Sequence, residues 1–178
     1  MKALTPEIIY FVACSLDGFI ATEDGGVDWL ERFQRAGEDH GAAELQVSAD
    51  ALLLGSRTYE FALKLGAWPS PKTPSWVFTH RKLKKLHPSI TLTSQTPREV
   101  VELLAARGLR RAWLMGGGKL ATSFRAEELI SSYILNIVPI ILGRGISLFA
   151  AGSPQRSLVL ELARPFKSGI VQLTYKDS

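Results

Sequence analysis

Cysteine and histidine are scarce in this chain of 178 residues, which has one cysteine and three histidines. A single cysteine, Cys14, cannot form an internal disulfide bond or supply a thiolate metal cluster. The histidines show none of the spacings typical of metal ligands, so we predict no bound metal. No Gly-x-Ser-x-Gly segment is present, which argues against a serine hydrolase of the α/β type.

Long apolar segments are also missing. No stretch is long and apolar enough to span a bilayer, which predicts that the chain has no membrane partner. The first six residues lack the basic, apolar and small-residue pattern of a signal peptide, so none is expected. Together with the low use of cysteine, these absences predict a cytoplasmic location.

The composition that is present fits one folded domain over residues 1–178. Apolar residues make up 46% and charged residues 21%, which excludes a disordered chain. The net charge of +4 is mildly basic and favours small anions as ligands. The densest basic run, residues 81–85, is interpreted as a solvated helix face. Weak nucleic-acid binding through 81–85 and 107–111 is a minor hypothesis, and we predict no nucleic-acid partner.

Apolar runs alternate with helical patterns along the chain, which predicts an α/β fold with a mostly parallel sheet. The last two predicted strands follow each other without a helix and should form an antiparallel edge. Strands are predicted at 8–13, 51–54, 76–79, 90–93, 112–115, 133–138, 158–162 and 170–175. Helices are predicted at 29–33, 39–47, 99–107 and 119–124, and another should begin after Ser56 as its cap residue. Thr96 and Pro97 are the predicted cap and first-turn residues of the helix at 99–107.

A glycine-rich turn joins one predicted strand to a predicted helix. Glycines allow a ligand to approach the backbone, and a helix amino terminus offers free N–H groups to an anion. The turn matches neither the phosphate-loop motif, because Leu120 follows the lysine, nor the dinucleotide motif, because Ala121 replaces its last glycine. It is therefore either a pyrophosphate site or only a tight turn. Its residues are Met115, Gly116, Gly117, Gly118, Lys119 and Leu120.

Two other strand ends carry polar and basic residues. Each has a plain alternative, because Arg57 can simply point into solvent and residues 79–81 can be a surface loop. Strand ends of open α/β sheets line the ligand crevice, so with the glycine turn they indicate one large phosphorylated ligand such as a dinucleotide. The two sets are Gly55, Ser56, Arg57 and Thr58, and Thr79, His80 and Arg81.

The chain resembles the dihydrofolate reductase-like superfamily. Within it, the chain is most similar to the reductase domain of the bifunctional riboflavin-biosynthesis deaminase/reductase and to free-standing bacterial relatives of that domain. The matching segments occur in the family's order and cover nearly the whole chain. They are residues 15–21, 37–41, 50–60, 115–120 and 138–149.

The resemblance implies an NADPH-dependent reductase with a central eight-stranded sheet and a three-layer fold. It implies that the glycine turn, with a cis Gly116–Gly117 peptide, holds the pyrophosphate, and that residues 55–58 and 79–81 hold the adenosine 2′-phosphate. Ala13, Asp17, Gly18 and Ile20 would flank the nicotinamide. The chain departs from the family at Ser56, where relatives carry arginine.

The resemblance leaves the substrate open between a pterin-like ring and a ribosylamino-pyrimidine, both small heterocycles. Asp39 is the candidate for substrate anchoring, with a helix cap as the equal alternative. A homodimer is expected from the apolar terminal strands and from the family. The alternative function is a non-catalytic NADP-binding or sensing module of the same fold.

Overall fold

A computed structural model describes residues 5–64, 68–152 and 155–178. Residues 1–4, where no signal peptide is expected, lie outside the described residues. The main sheet has eight strands in the order β5-β4-β3-β6-β1-β7-β10-β9. The strands are β1 Glu7–Ser15, β2 Phe19–Ala21, β3 Ala51–Gly55, β4 Ser75–Phe78, β5 Ile90–Thr93, β6 Arg111–Gly116, β7 Ser132–Val138, β8 Ile146–Ser147, β9 Leu158–Pro165 and β10 Val171–Asp177.

The pairing from β5 through β7 is parallel, while β10 runs antiparallel to both β7 and β9. The predicted fold class is therefore confirmed, including the antiparallel carboxyl-terminal strands. The apolar run at the start of the chain forms β1, which lies between β6 and β7 and is almost wholly buried.

Helices cover both faces of the sheet, which gives three layers. They are α1 Ala42–Ser48, α2 Ser56–Lys64, α3 Pro97–Ala106 and α4 Gly118–Ala126, with a 3-10 helix at Asp28–Phe33. Helices α3 and α4 pack on the face that carries Tyr10 and Leu114. Helices α1 and α2 and the 3-10 helix pack on the opposite face, which carries Phe11, Ala13 and Leu54.

Local signals explain how α3 begins. The side chain of Thr96 accepts a hydrogen bond from the backbone of Glu99, and the Glu99 carboxylate accepts one in return from the Thr96 backbone. Pro97 occupies the first turn, where its missing N–H costs nothing. This reciprocal cap fixes the entry into α3.

Several sequence expectations were wrong in detail. The basic run at 81–85 is irregular rather than helical, and α1 begins at Ala42 rather than at Asp39. Ser56 is the first residue of α2 and not a residue before it. The sequence analysis also missed a separate two-stranded sheet formed by β2 and β8.

Candidate functional site

Parallel pairing places the ends of several strands at one edge of the sheet. Strands β1, β3, β4 and β6 all run in the same direction, so their carboxyl ends meet there. Three of the predicted ligand segments begin at these ends: Gly55 follows Leu54, Thr79 follows β4, and the glycine turn follows β6. This is the edge at which open α/β sheets bind their ligands.

The glycine turn leads directly into α4. Gly116 has φ of +91°, a value that favours glycine, and the Gly116–Gly117 peptide is cis, as the resemblance implies. Gly117 is the residue before α4 and Gly118 is its first residue, so neither adds a side chain over the free backbone N–H groups. Lys119 is exposed and Leu120 is half-buried. No side chain caps the amino terminus of α4, which is the arrangement that suits an anion at a helix start.

Backbone contacts bring the separate segments together around Gly117. A β-carbon at Gly55 would lie 3.6 Å from the carbonyl oxygen of Gly116. A β-carbon at Gly117 would lie 3.6 Å from Cδ1 of Ile20 and 3.8 Å from Oγ1 of Thr58. We call the space bounded by Ile20, Gly55, Thr58 and Gly117 the glycine groove. Any side chain at Gly117 would fill it, and its bare backbone fits a phosphate-bearing chain.

Apolar side chains near the groove remain accessible although they belong to inner strands of the sheet. Ala13 on β1 and Met115 on β6 are both half-buried, while Cys14 and Leu114 beside them are buried. Ala13 packs against the cluster around Trp29, on the sheet face that carries α1 and α2. These two partly exposed side chains leave apolar surface on inner strands, which suits a flat ring.

Asp17 ties two loops together. Its carboxylate oxygens accept hydrogen bonds from the backbone of Leu142 at 3.1 Å and of Gly143 at 2.7 Å. The Ser15 hydroxyl and these backbone N–H groups lower the pKa of Asp17. Gly18 has φ of +84°, and its carbonyl oxygen accepts a hydrogen bond from Leu148. Asp17 and Gly18 therefore shape the loop that carries Ile20 to the groove.

At the predicted adenosine end, basic and polar residues of α2 and of the segment after β4 lie close together. Arg57 is exposed in the first turn of α2, and His80 is exposed after β4. The Thr79 hydroxyl accepts a hydrogen bond from the backbone of Arg81 at 3.0 Å. The Arg81 guanidinium contacts the Glu60 carboxylate at 2.7 Å, a contact that the sequence analysis missed.

Asp39 has a structural role in this fold. Its carboxylate accepts hydrogen bonds from the backbone of Ala43 at 2.8 Å and of Gly41 at 3.2 Å, at the start of α1. These hydrogen bonds lower the pKa of Asp39. The N-cap residue of α1 is Gly41, so Asp39 is not itself the N-cap, but its ionised carboxylate supports the helix start from two residues earlier, which favours the helix-cap interpretation in this wider sense. A contact with substrate stays a prediction.

Two buried amides that the sequence analysis missed lie beside Ala13. Asn136 is paired with Ala13 across β1 and β7, and Gln172 is paired with Asn136 across β7 and β10. Nε2 of Gln172 donates a hydrogen bond to the carbonyl oxygen of His40 at 2.7 Å and to Oδ1 of Asn136 at 3.1 Å. The sequence signal that could have revealed this pair is a single polar amide residue among the apolar residues of each of the two strands.

Ionisable groups deeper in the sheet stay neutral. Burial raises the pKa of the Cys14 thiol to about 11, and burial also raises the pKa of Tyr10. The Tyr10 hydroxyl donates a hydrogen bond to the carbonyl oxygen of Leu148 at 3.0 Å. Cys14 is therefore a buried core thiol rather than an activated nucleophile.

Two cavities are lined by none of the residues that bound the glycine groove. A cavity of about 340 Å³ is lined by Thr22, Glu23, Asp24, Leu142 and Arg144, none of which was predicted to bind a ligand. A smaller one of about 90 Å³ lies under α1, where Phe11, Gly41 and Gln172 contribute to its lining. Within residues 5–64, 68–152 and 155–178, no cluster of three or more His, Cys, Asp or Glu side chains could hold a metal ion. In those same ranges no helix has the length and apolarity needed to cross a bilayer.

Known proteins match this chain in sequence. The family model for the RibD C-terminal domain matches residues 67–171. The uncharacterized protein YwjB of Bacillus subtilis is 32% identical over 168 residues, which cover 94% of this chain and 95% of that protein.

Solved structures match the fold. A protein from Shewanella sp. PV-4, provisionally named a riboflavin biosynthesis protein, has a TM-score of 0.88 at 26% identity, covering 97% of this chain and 99% of that one. The diaminohydroxyphosphoribosylaminopyrimidine deaminase/5-amino-6-(5-phosphoribosylamino)uracil reductase of Thermotoga maritima has a TM-score of 0.73 at 16% identity. That match covers 98% of this chain but 57% of the bifunctional protein, and it shows the fold alone.

Proposed function

This chain belongs to the RibD C-terminal domain family, and from that membership we propose that it is an NADPH-dependent reductase. Its role is similar to that of the reductases of riboflavin biosynthesis, within the dihydrofolate reductase-like superfamily. We propose that its substrate is a small heterocyclic compound, either a pterin-like ring or a ribosylamino-pyrimidine, and that the hydride goes to an oxidised ring or to a ring-opened sugar. The observation that carries the proposal is the convergence of Ile20, Gly55, Thr58 and Gly117 on the glycine groove.

Three parts of the site would hold the cofactor. The free N–H groups at the start of α4 would bind the pyrophosphate, with Lys119 nearby as a cation. Gly55, Ser56, Arg57 and Thr58, together with Thr79, His80 and Arg81, would bind the adenosine end. Ala13, Met115 and Ile20 would line the nicotinamide end, where accessible apolar side chains favour a flat ring.

When bound, NADPH would supply the hydride, and the protein has little covalent chemistry to add. The described residues support that division of roles, because Cys14 and Tyr10 are held neutral by burial. The contribution of the chain would be to place two rings in contact and to keep water away from them. Ile20 and the loop tied down by Asp17 would provide the cover.

On the substrate side, the buried amides of Asn136 and Gln172 are the polar groups nearest to Ala13 in the sheet. They would orient the substrate indirectly, since both bond the carbonyl oxygen of His40, next to Asp39. Asp39 itself would act from the start of α1, where its charge is already stabilised. This arrangement supports a substrate pocket between Ala13 and the residues that precede α1.

The deciding experiment measures binding before turnover. Purified protein should quench or shift the fluorescence of NADPH and melt at a higher temperature in its presence, because a ligand that binds only the folded state stabilises it. NADPH oxidation is then screened against dihydropterins and the ribosylamino-pyrimidine intermediates of riboflavin synthesis. A protein that neither binds NADPH nor is stabilised by it would contradict the proposal.

Binding without turnover on any of these substrates would favour the second candidate, a non-catalytic NADP-sensing module. The partly accessible Ala13 favours the enzyme, since it leaves apolar surface for a second ring beside the proposed nicotinamide end. A module without a substrate would have no need of that surface.

We propose in addition that the chain forms a homodimer through β9. Every residue of β9 is exposed, including Leu158, Val159, Leu160 and Leu162, although β9 belongs to the main sheet. An exposed apolar strand at the edge of a sheet is an aggregation risk unless a partner covers it. A second copy is the simplest cover, and a mass measurement by light scattering in solution tests it.

A further inference from the structure

Glu60 is an acidic residue placed among the basic residues of the adenosine end. Its carboxylate contacts the Arg81 guanidinium at 2.7 Å, with about half of the Arg81 side chain and 39% of the Glu60 side chain exposed. Arg57 lies three residues earlier on α2, so its side chain projects from the same face of the helix. The Glu60 carboxylate therefore contacts Arg81 and shares a helix face with Arg57.

The fold holds the segment that carries Arg81 against α2. The Tyr59 hydroxyl donates a hydrogen bond to the carbonyl oxygen of Lys84 at 2.9 Å and accepts one from the backbone of Leu86 at 3.3 Å. Tyr59 is fully buried, so this connection is fixed by the core. The contact between Glu60 and Arg81 therefore joins two segments that are already close.

The two nicotinamide cofactors differ at the adenosine ribose, where NADPH carries a 2′-phosphate and NADH a hydroxyl. A phosphate with up to two negative charges is attracted by arginine and repelled by a carboxylate, whereas a hydroxyl can donate a hydrogen bond to that carboxylate. We infer that Glu60 sets the preference between NADPH and NADH, because it competes with the 2′-phosphate for Arg81. This inference rests on the proposed function.

The expected size of the effect follows from the exposure of the pair. In water, one unit charge a few ångströms from a phosphate changes its binding by about five- to tenfold once salt screening is included. Replacing Glu60 by glutamine keeps the shape of the side chain and removes the charge. E60Q should therefore bind a 2′-phosphate about five- to tenfold more tightly than the parent chain.

The experiment compares adenosine 2′,5′-bisphosphate with adenosine 5′-diphosphate, which lacks the 2′-phosphate, by titration calorimetry. NADPH and NADH are measured in parallel by fluorescence. E60Q should bind the 2′-phosphate probe and NADPH more tightly than the parent chain does. Its affinity for adenosine 5′-diphosphate and NADH should be unchanged or lower. The gain should shrink as salt is added, because the groups are exposed.

The matched control is E102Q on α3, an exposed glutamate on the opposite side of the sheet. It changes the net charge equally and should change neither affinity. If E60Q melts abnormally, E60A provides the second test of the lost charge. Equal effects on both probes, or none, would overturn the inference while leaving NADPH binding by the parent chain intact. Failure of the parent chain to bind either nucleotide would overturn the proposed function and the inference with it.

Discussion

The glycine groove and the outer edge at β9 stand at opposite extremes of packing within one sheet. Beside the groove, at the first residue of α4, the backbone is packed so closely that a β-carbon at Gly118 would lie 2.1 Å from the carbonyl oxygen of Ser147. At β9 all eight residues are exposed. The comparison teaches that the backbone beside the proposed ligand site is tightly held by its neighbours, whereas the strand proposed to meet a partner is open to solvent. Substitutions at the two places should therefore fail in different ways.

The largest effect is expected from Gly118→Ala. The new β-carbon would meet backbone oxygens of Ser147 and Leu148, which cannot rotate away as a side chain can. Overpacking of this kind costs about 3 kcal/mol in the free energy of unfolding, equal to a fall in Tm of roughly 6–12 °C. Differential scanning calorimetry measures it. A Tm within about 2 °C of the parent value would show that the contact at Gly118 is not tight.

Next is Gly117→Ala, one residue away. Its β-carbon would make ordinary contacts of 3.6 Å and 3.8 Å with Ile20 and Thr58, so the folded state should tolerate it much better than the change at Gly118. The same methyl group would fill the glycine groove and should weaken NADPH binding by about tenfold or more. Fluorescence titration tests this. Unchanged affinity for NADPH would place the cofactor elsewhere.

A change at the outer edge should leave stability nearly alone. Leu160→Lys replaces a side chain that is already half-exposed, so the free energy of unfolding should change by about 0.5 kcal/mol or less. The lysine would nevertheless place two charges in the proposed apolar interface, one from each copy, and should shift the population to monomer. Light scattering over a concentration series measures the mass. Lys176→Gln on the neighbouring strand is a control in which apolar contact is kept.

The smallest effect is expected at Asp39. Its pKa is lowered in the folded chain, so its charge stabilises the fold above the unfolded value of about 4 and loses that effect as pH falls through the folded value. Asp39→Ala should lower Tm slightly at neutral pH, and the difference from the parent should vanish in acid. Asp39→Asn, which keeps one acceptor oxygen, should lie between them.

Turnover separates the two roles of Asp39. A helix cap predicts that Asp39→Asn retains the parent value of kcat/KM, once folding is matched. Loss of kcat/KM with unchanged NADPH affinity would instead support contact with substrate.

Much of the fold could be predicted because its signals are local or periodic. The apolar runs predict the bounds of most strands to within a few residues. Thr96, Pro97 and Glu99 mark the start of α3. The family resemblance is confirmed by the match over residues 67–171. Strands β2 and β8 escaped prediction because they have three and two residues, too few to show a period.

The site was harder to predict because its contacts join residues far apart in the chain. The contact of Arg81 with Glu60 and the pairing of Asn136 with Gln172 depend on how α2, β7 and β10 are arranged. The basic run at 81–85 does not form the predicted helix face; it is irregular, and the Tyr59 hydroxyl of distant α2 bonds the carbonyl oxygen of Lys84. A sequence pattern indicates where charged residues and turns occur. It does not indicate which residue, distant in the chain, pairs with a given charge in the fold.

Asp17 has a mechanical consequence for access to the nicotinamide end. Its carboxylate accepts hydrogen bonds from the backbone of Leu142 and Gly143. The loop that carries Ile20 is therefore joined to the segment that leads into β8. A β-carbon at Gly145 would touch the carbonyl oxygen of Ala21 at 2.2 Å, so the two cannot slide past each other. The two segments therefore form one unit, and amide exchange at residues 142 and 143 should slow together when a ligand binds at the proposed nicotinamide end.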